Sequence, residues 1–154
     1  MSHTQVELAW AAGLFEGEGT IRINKPSVRN WGSVCVSVVN TDKQILDWFQ
    51  SRWPGYMKAA TGLRDNQRDA WVWVIAAKKA IVFLKAIRPF IIRDAVREKI
   101  DCAIEFQDGK RMDVSHMKYE DRYAYAENQW VAYWYMCHLN RRGRRDSGVR
   151  RKPS

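Results

Sequence analysis

The stretch Ala11-Ala12-Gly13-Leu14-Phe15-Glu16-Gly17-Glu18-Gly19 joins a helix to a strand. Upstream, Val6, Trp10 and Leu14 recur at i, i+4 and i+8, which puts them on one helical face and predicts a helix from about Val6 to Glu16. Downstream, Thr20 to Lys25 alternates: Ile21 and Ile23 point one way and Thr20, Arg22 and Asn24 the other, as in a strand buried on one side. Ala9, Gly13 and Gly17 repeat every four residues with Ala12 beside them. That spacing lets two helix backbones approach closely, either inside the chain or between two copies of it. Glu16 and Glu18 sit at the helix C-terminus, where the macrodipole disfavours negative charge. Glu18 can approach an oxygen-seeking cation together with a backbone carbonyl of the helix end, such as that of Gly17, which is ligand chemistry suited to Mg2+. A solvated acidic turn satisfies the same string.

Working outward, Pro26 to Gly32 connects to a second β-rich run, Ser33 to Asn40, with valines at 34, 36, 38 and 39, and the two runs predict an antiparallel hairpin. Thr41 followed by Gln44 has capping-box spacing, and Ile45, Leu46, Trp48 and Phe49 give the helix it opens a buried stripe that Pro54-Gly55 ends. Tyr56 to Ala60 and Asp69 to Ala76 are strands about a polar turn. In the second, Trp71 and Trp73 share one face opposite Ala70, Val72 and Val74, either toward the core or toward an open sheet face. Lys78 to Ile87 is helical and halted by Pro89, Asp94 to Phe106 is helical, and roughly His116 to Leu139 forms a last helix. The order α-β-β-α-β-β-α-α with an extra C-terminal helix predicts an α+β fold: a four-stranded antiparallel sheet, helices on one face, the other face free for a partner.

The 154 residues, 46% of them hydrophobic, suit one core, expected over residues 1–140. Residues 141–154 hold Arg141, Arg142, Arg144, Arg145, Arg150, Arg151 and Lys152 against Asp146 alone, with Gly143, Gly148, Pro153 and Ser154, and predict a mobile basic tail. The net charge of +9 points to a polyanion as partner without choosing between DNA, RNA and a membrane surface. Cys35, Cys102 and Cys137 form no C-x-x-C pair, which favours reduced thiols in an intracellular setting, an organelle (mitochondrion or chloroplast) or a prokaryotic cytoplasm. No apolar run approaches the roughly 18 residues of a membrane span. His3, His116 and His138 have no metal-site spacing, and there is no glycine-rich phosphate loop.

The opening string closely resembles the LAGLIDADG motif of the homing endonucleases. Gly13, Leu14 and Gly19 are retained, Phe15 replaces another apolar residue, Glu16 and Glu18 replace the two aspartates, and Ala11 replaces the first leucine. The resemblance extends over roughly residues 5–107 through the element order, Asn40-Thr41-Asp42 leading into a helix, and Lys78-Lys79 followed by Phe83-Leu84 and Pro89-Phe90. It implies a magnesium-dependent, site-specific endonuclease of the kind that mobilises introns, binding double-stranded DNA on the concave face of the sheet. No second copy of the motif follows residue 19, so the resemblance implies a homodimer meeting through Ala9, Ala12, Gly13, Glu16 and Gly17, with a long pseudo-palindromic target.

Residue by residue, it makes Glu18 the metal-binding carboxylate and Glu16 a support of the helix end. Thr41, or its neighbour Asn40, would order the attacking water. A basic residue at Arg93 or Arg97 would stabilise phosphate charge, an electrostatic role because arginine does not readily give up a proton. Base readout would come from Arg22, Asn24 and Lys58, with Arg29, Asn30, Arg64, Asn66, Gln67 and Arg68 in loops, and phosphate contacts from Lys25, Lys43, Lys78 and Lys79. Trp10, Trp48, Trp130 and Trp134 sit at helical positions suited to core packing. The rival readings are an intron RNA maturase, which needs basic surfaces but not Glu18, and a non-catalytic DNA-binding protein on the same fold.

Overall fold

The computed structural model describes residues 2–26, 31–60, 69–110 and 117–145. Helix α1 (Gln5–Glu18) opens on a capping box in which Thr4 Oγ1 accepts the Glu7 N–H at 3.2 Å and Glu7 Oε2 accepts the Thr4 N–H at 2.9 Å. Strand β1 (Gly19–Ile23) follows without a loop, and the Gly19 N–H donates to the Phe15 carbonyl. A Cβ on Gly19 would overlap both the Phe15 ring and its carbonyl oxygen, so this turn admits only glycine.

The chain continues through β2 (Val34–Asn40), α2 (Lys43–Arg52), β3 (Tyr56–Ala59), β4 (Trp71–Ala76), α3 (Ala77–Ile87), a 3-10 turn (Arg88–Phe90), α4 (Asp94–Asp108) and α5 (Tyr119–Arg145). The strands form one sheet in the order β1-β2-β4-β3, every neighbour antiparallel. This is the α+β architecture that the periodicities predict.

Pairing fixes which residues share a face. Ile21 opposes Val36, Val36 opposes Ile75, Val38 opposes Trp73, and Trp73 opposes Met57. This face lies under the helices and is buried. The Phe83 ring sits 4.9 Å from Trp53 and 5.3 Å from Trp73, and Phe49 sits 5.1 Å from Trp73. Truncating a side chain as enclosed as Phe83 costs about 3–5 kcal/mol. Trp73 and Trp71 therefore belong to the helix side: Trp73 is fully buried and its indole N–H donates to the Trp53 carbonyl at 3.2 Å, while Trp71 packs at the core margin.

Several local expectations need correction. The Thr41 capping box does not form. Asn40 Oδ1 takes the Asp42 N–H at 2.8 Å, the chain turns there, and Asp42 becomes the N-cap, accepting the Gln44 N–H at 2.9 Å. Trp10 and Trp134 are 45% and 55% exposed rather than core residues. The last helix reaches Arg145, five residues into the basic stretch. It lies along the edge strand: Asn140 Nδ2 donates to the Ile21 carbonyl at 2.9 Å, and Tyr125 packs edge-on against Trp31 at 5.1 Å. Covering an open edge in this way removes a site of unwanted strand pairing. Among the described residues, no helix is long and apolar enough to cross a membrane.

Candidate nucleic-acid interface and acidic motif site

The motif's two glutamates have different surroundings. Glu16 is half-buried, and its Oε1 accepts the backbone N–H groups of Ile92 at 3.1 Å and Arg93 at 2.7 Å. Arg93 is the N-cap of α4 and has no side-chain cap bond of its own, so the Glu16 carboxylate caps that helix from outside. The charge that the α1 dipole disfavours is thereby offset at the positive end of α4. Glu18, the last residue of α1, is exposed, and no described residue engages its carboxylate.

The two arginines separate as well. Arg93 Nη1 reaches the Glu16 carbonyl at 3.5 Å and lines the cleft at the end of the motif. Arg97 is committed elsewhere, donating from Nε to the Ile91 carbonyl and from Nη1 to Asp94 Oδ1, both at 2.8 Å, and it lines a groove between α4 and α5. Of the two candidates, Arg93 thus stands beside the motif and Arg97 in the groove between α4 and α5.

The cleft, about 510 Å³, is lined by Glu16, Gly17, Thr20, Arg93, Lys99 and Asn140 among others. Lys99 is a residue that the sequence reading missed. Burial lowers its pKa from the ordinary value of 10.5, and the Arg93 charge lowers it further. An amine held in this way exchanges protons more readily than an arginine can. A signal was present: Lys99 lies between Val96, Ile100 and Ala103, at the margin of the buried stripe of α4.

Among the described residues, no group of three or more His, Cys, Asp or Glu could hold a metal ion. What one chain offers is a single unengaged carboxylate at a helix end. Such a donor suits an ion like Mg2+, which binds through one or two carboxylates and keeps water and phosphate oxygens as its remaining ligands.

Along α1, Ala9, Gly13 and Gly17 are exposed, and a Cβ built on Gly13 or Gly17 meets nothing within 4 Å. The chain itself does not require either glycine for packing. Ala12 is different: it is fully buried in the chain's own core and is corrected out of the exposed face.

The face of the sheet away from the helices carries Thr20 and Arg22 on β1, Ser37 and Val39 on β2, Val72 and Val74 on β4, and Tyr56 and Lys58 on β3. Arg22 and Lys58 are exposed on the two edge strands, as the alternation predicts. Asn24 is exposed but donates to Ser33 Oγ at 3.1 Å. Lys25 lies over the Trp130 ring at 5.8 Å, Lys43 bonds Asp47 at 2.7 Å, and Lys79 donates to the Pro54 carbonyl at 3.3 Å, whereas Lys78 is exposed. Thr41 is exposed just beyond the end of β2. Arg29, Asn30, Arg64, Asn66, Gln67 and Arg68 lie outside the described residues.

Solved structures share this arrangement. The homing endonuclease I-CvuI in complex with its target matches with a TM-score of 0.66 at 14% identity, over 97% of this chain and 87% of that one. The archaeal intron-encoded homing endonuclease I-Vdi141I complexed with DNA matches with a TM-score of 0.64 at 14% identity, over 87% of this chain and 84% of that one. The chain has a LAGLIDADG-like homing-endonuclease fold. The LAGLIDADG homing endonuclease I-GzeII matches with a TM-score of 0.63 at 11% identity, and there 82% of this chain corresponds to 43% of the other. In length, then, this chain corresponds to most of I-CvuI and to less than half of I-GzeII. No protein-family model and no curated protein matches the sequence.

Proposed function

We propose that this chain is a magnesium-dependent, site-specific endonuclease that cuts double-stranded DNA as a homodimer. The observation that carries the reading is the state of Glu18: an exposed, unengaged carboxylate at the end of a helix whose outer face, Ala9, Gly13 and Gly17, is bare. Two copies packed through that face bring two such carboxylates together, one for each DNA strand.

Charge distribution supports the sheet as the DNA face. On α4 the carboxylates of Asp94, Glu98, Asp101, Glu105 and Asp108 recur along one side of the helix. Arg97, Arg88 and Lys85 pair with three of them, leaving that side unsuited to a polyanion. Arg22 and Lys58 present cations on the open sheet face instead.

Within the cleft, Glu16 fixes the start of α4 and so the position of Arg93, whose fixed charge stabilises a phosphate gaining negative charge. Lys99, with its lowered pKa, holds or gives up a proton beside that phosphate. Thr41, just beyond the end of β2 that pairs with Gly19, orients water. A bound Mg2+ at Glu18 supplies Lewis-acid stabilisation of phosphate oxygens and eases deprotonation of water. The biological setting we assign is intron mobility.

The test incubates the full chain with a randomised duplex library and Mg2+, alongside Glu18→Gln. The expected result is cleavage of a subset of sequences, reduced at least about 100-fold by the substitution while binding persists. Specific binding without any cleavage by the native chain would overturn the enzyme reading in favour of a DNA-binding protein, and preference for intron RNA over every duplex would favour a maturase.

A further inference from the structure

The centre of the open sheet face is apolar where an antiparallel sheet facing solvent ordinarily carries polar side chains. Val39, 40% exposed, stands directly opposite Val72, and Val74 stands between Ser37 and Tyr56, itself 64% exposed. These residues occupy the two central strands and the β3 edge, and among the described residues no helix covers them. Arg22 on β1 and Lys58 on β3 flank the patch, so its surroundings attract an anionic partner, while the Val39, Val72 and Val74 side chains at its centre offer no hydrogen bond and leave only the Ser37 and Tyr56 hydroxyls beside Val74.

A valine side chain in a major groove can recognise one class of group, the C5 methyl on a pyrimidine, carried by thymine and by 5-methylcytosine. Spacing agrees with that occupant. Val72 and Val74 are two residues apart on one strand, about 6.8 Å, which matches two base steps of about 3.4 Å each. Resting on the duplex-binding reading above, we infer that Val39, Val72 and Val74 read pyrimidine methyl groups, so that each half-site contains a thymine-rich step of two to three base pairs at the middle of the sheet. Charged readout is confined to the flanks under Arg22 and Lys58. A cytosine in the central step gains affinity when it is methylated at C5.

The test selects duplexes bound by the full chain from a randomised library, then replaces each enriched thymine in turn by deoxyuridine, which lacks only the methyl group. The expected loss is about 4-fold per central methyl, the burial of one carbon group expressed as an affinity ratio, with no loss at flanking positions. Val72→Thr, isosteric and partly exposed, should remove the penalty at one central position, its folding checked by circular dichroism. A selected site bound equally well with deoxyuridine throughout overturns the inference and leaves the duplex reading intact. Recovery of no duplex at all overturns both. If, in addition, Val39→Lys with Val72→Lys dissolved a dimer, the patch would be assigned to a second copy of the chain.

Discussion

Gly13→Ala separates what one chain needs from what two chains need. Gly13 sits mid-helix in α1, exposed, with no atom within 4 Å of the position its Cβ would take. Within one chain the substitution therefore has no steric cost and gains helix propensity, about 1 kcal/mol for glycine to alanine in a helix interior. For a chain of this size that is a rise in melting temperature of about 2–4 °C. In the proposed dimer the same methyl group would lie between two closely approaching backbones. Overpacking of one such contact costs about 1–3 kcal/mol, and a two-fold axis doubles it. The expected outcome is a more stable monomer, measured by urea unfolding at low concentration, that self-associates between roughly 30-fold and 20,000-fold more weakly, measured by sedimentation equilibrium. A rise in stability with unchanged association would refute the assignment of this face to the dimer. Gly19→Ala is the internal control: its clash with Phe15 lies inside the chain, so it must destabilise the monomer itself.

The other predictions concern the cleft and the strand-to-helix junction. Glu16→Ala leaves two backbone N–H groups at the start of α4 without their acceptor and costs about 1–2 kcal/mol in thermal unfolding. It also slows cleavage through Arg93 without preventing DNA binding, as a gel-shift assay would show. Lys99→Met should stabilise the free protein near neutral pH. Because the folded chain holds this proton less tightly than the unfolded one, the native lysine's penalty is full below its lowered pKa and fades as pH rises toward 10.5. The stability difference between the two proteins, read from urea midpoints, must shrink over that window. A difference that grows with pH would contradict the assigned burial. Ala77, the first residue of α3, has φ of 51°, a region that costs a residue with a Cβ roughly 1 kcal/mol. Ala77→Gly should therefore raise stability by up to about 1 kcal/mol, and Ala77→Val should lower it by more.

Most of the architecture was legible because it rests on periodicity. Alternation in Thr20 to Lys25 placed Ile21 and Ile23 on one face correctly, the β-rich run Ser33 to Asn40 does pair antiparallel with it, and the Pro54-Gly55 and Pro89 breaks fell where the helices end. What periodicity lacks is an absolute reference. It could say that Trp71 and Trp73 share a face, not which one; the answer lies in a hydrogen bond from Trp73 to Trp53 across twenty residues. The same gap misplaced Ala12. A four-residue repeat correctly joined Ala9, Gly13 and Gly17, but Ala12 is one position earlier on the helix, rotated by about 100° and hence into the core.

Competition between neighbouring polar groups explains the misplaced cap. Thr41 and Gln44 have the spacing of a capping box, yet so do Thr4 and Glu7, and only the second pair forms one. At Thr4 no preceding side chain takes the turn, and the charged Glu7 accepts the Thr4 N–H strongly enough that its own pKa is lowered, chiefly by that bond. Before α2, the Asn40 amide oxygen takes the Asp42 N–H first and moves the cap one residue along. The choice between Arg93 and Arg97 turns on an acceptor remote in sequence in the same way. The two differ by a single helical turn, and what distinguishes them is Glu16, seventy-seven residues before Arg93, whose carboxylate fixes the start of α4. Motif and basic partner thus form one unit, and a substitution at either should change the other's contribution. The double variant Glu16→Ala with Arg93→Ala should lose little more cleavage than the worse single variant, and full additivity would mean that the two residues act apart.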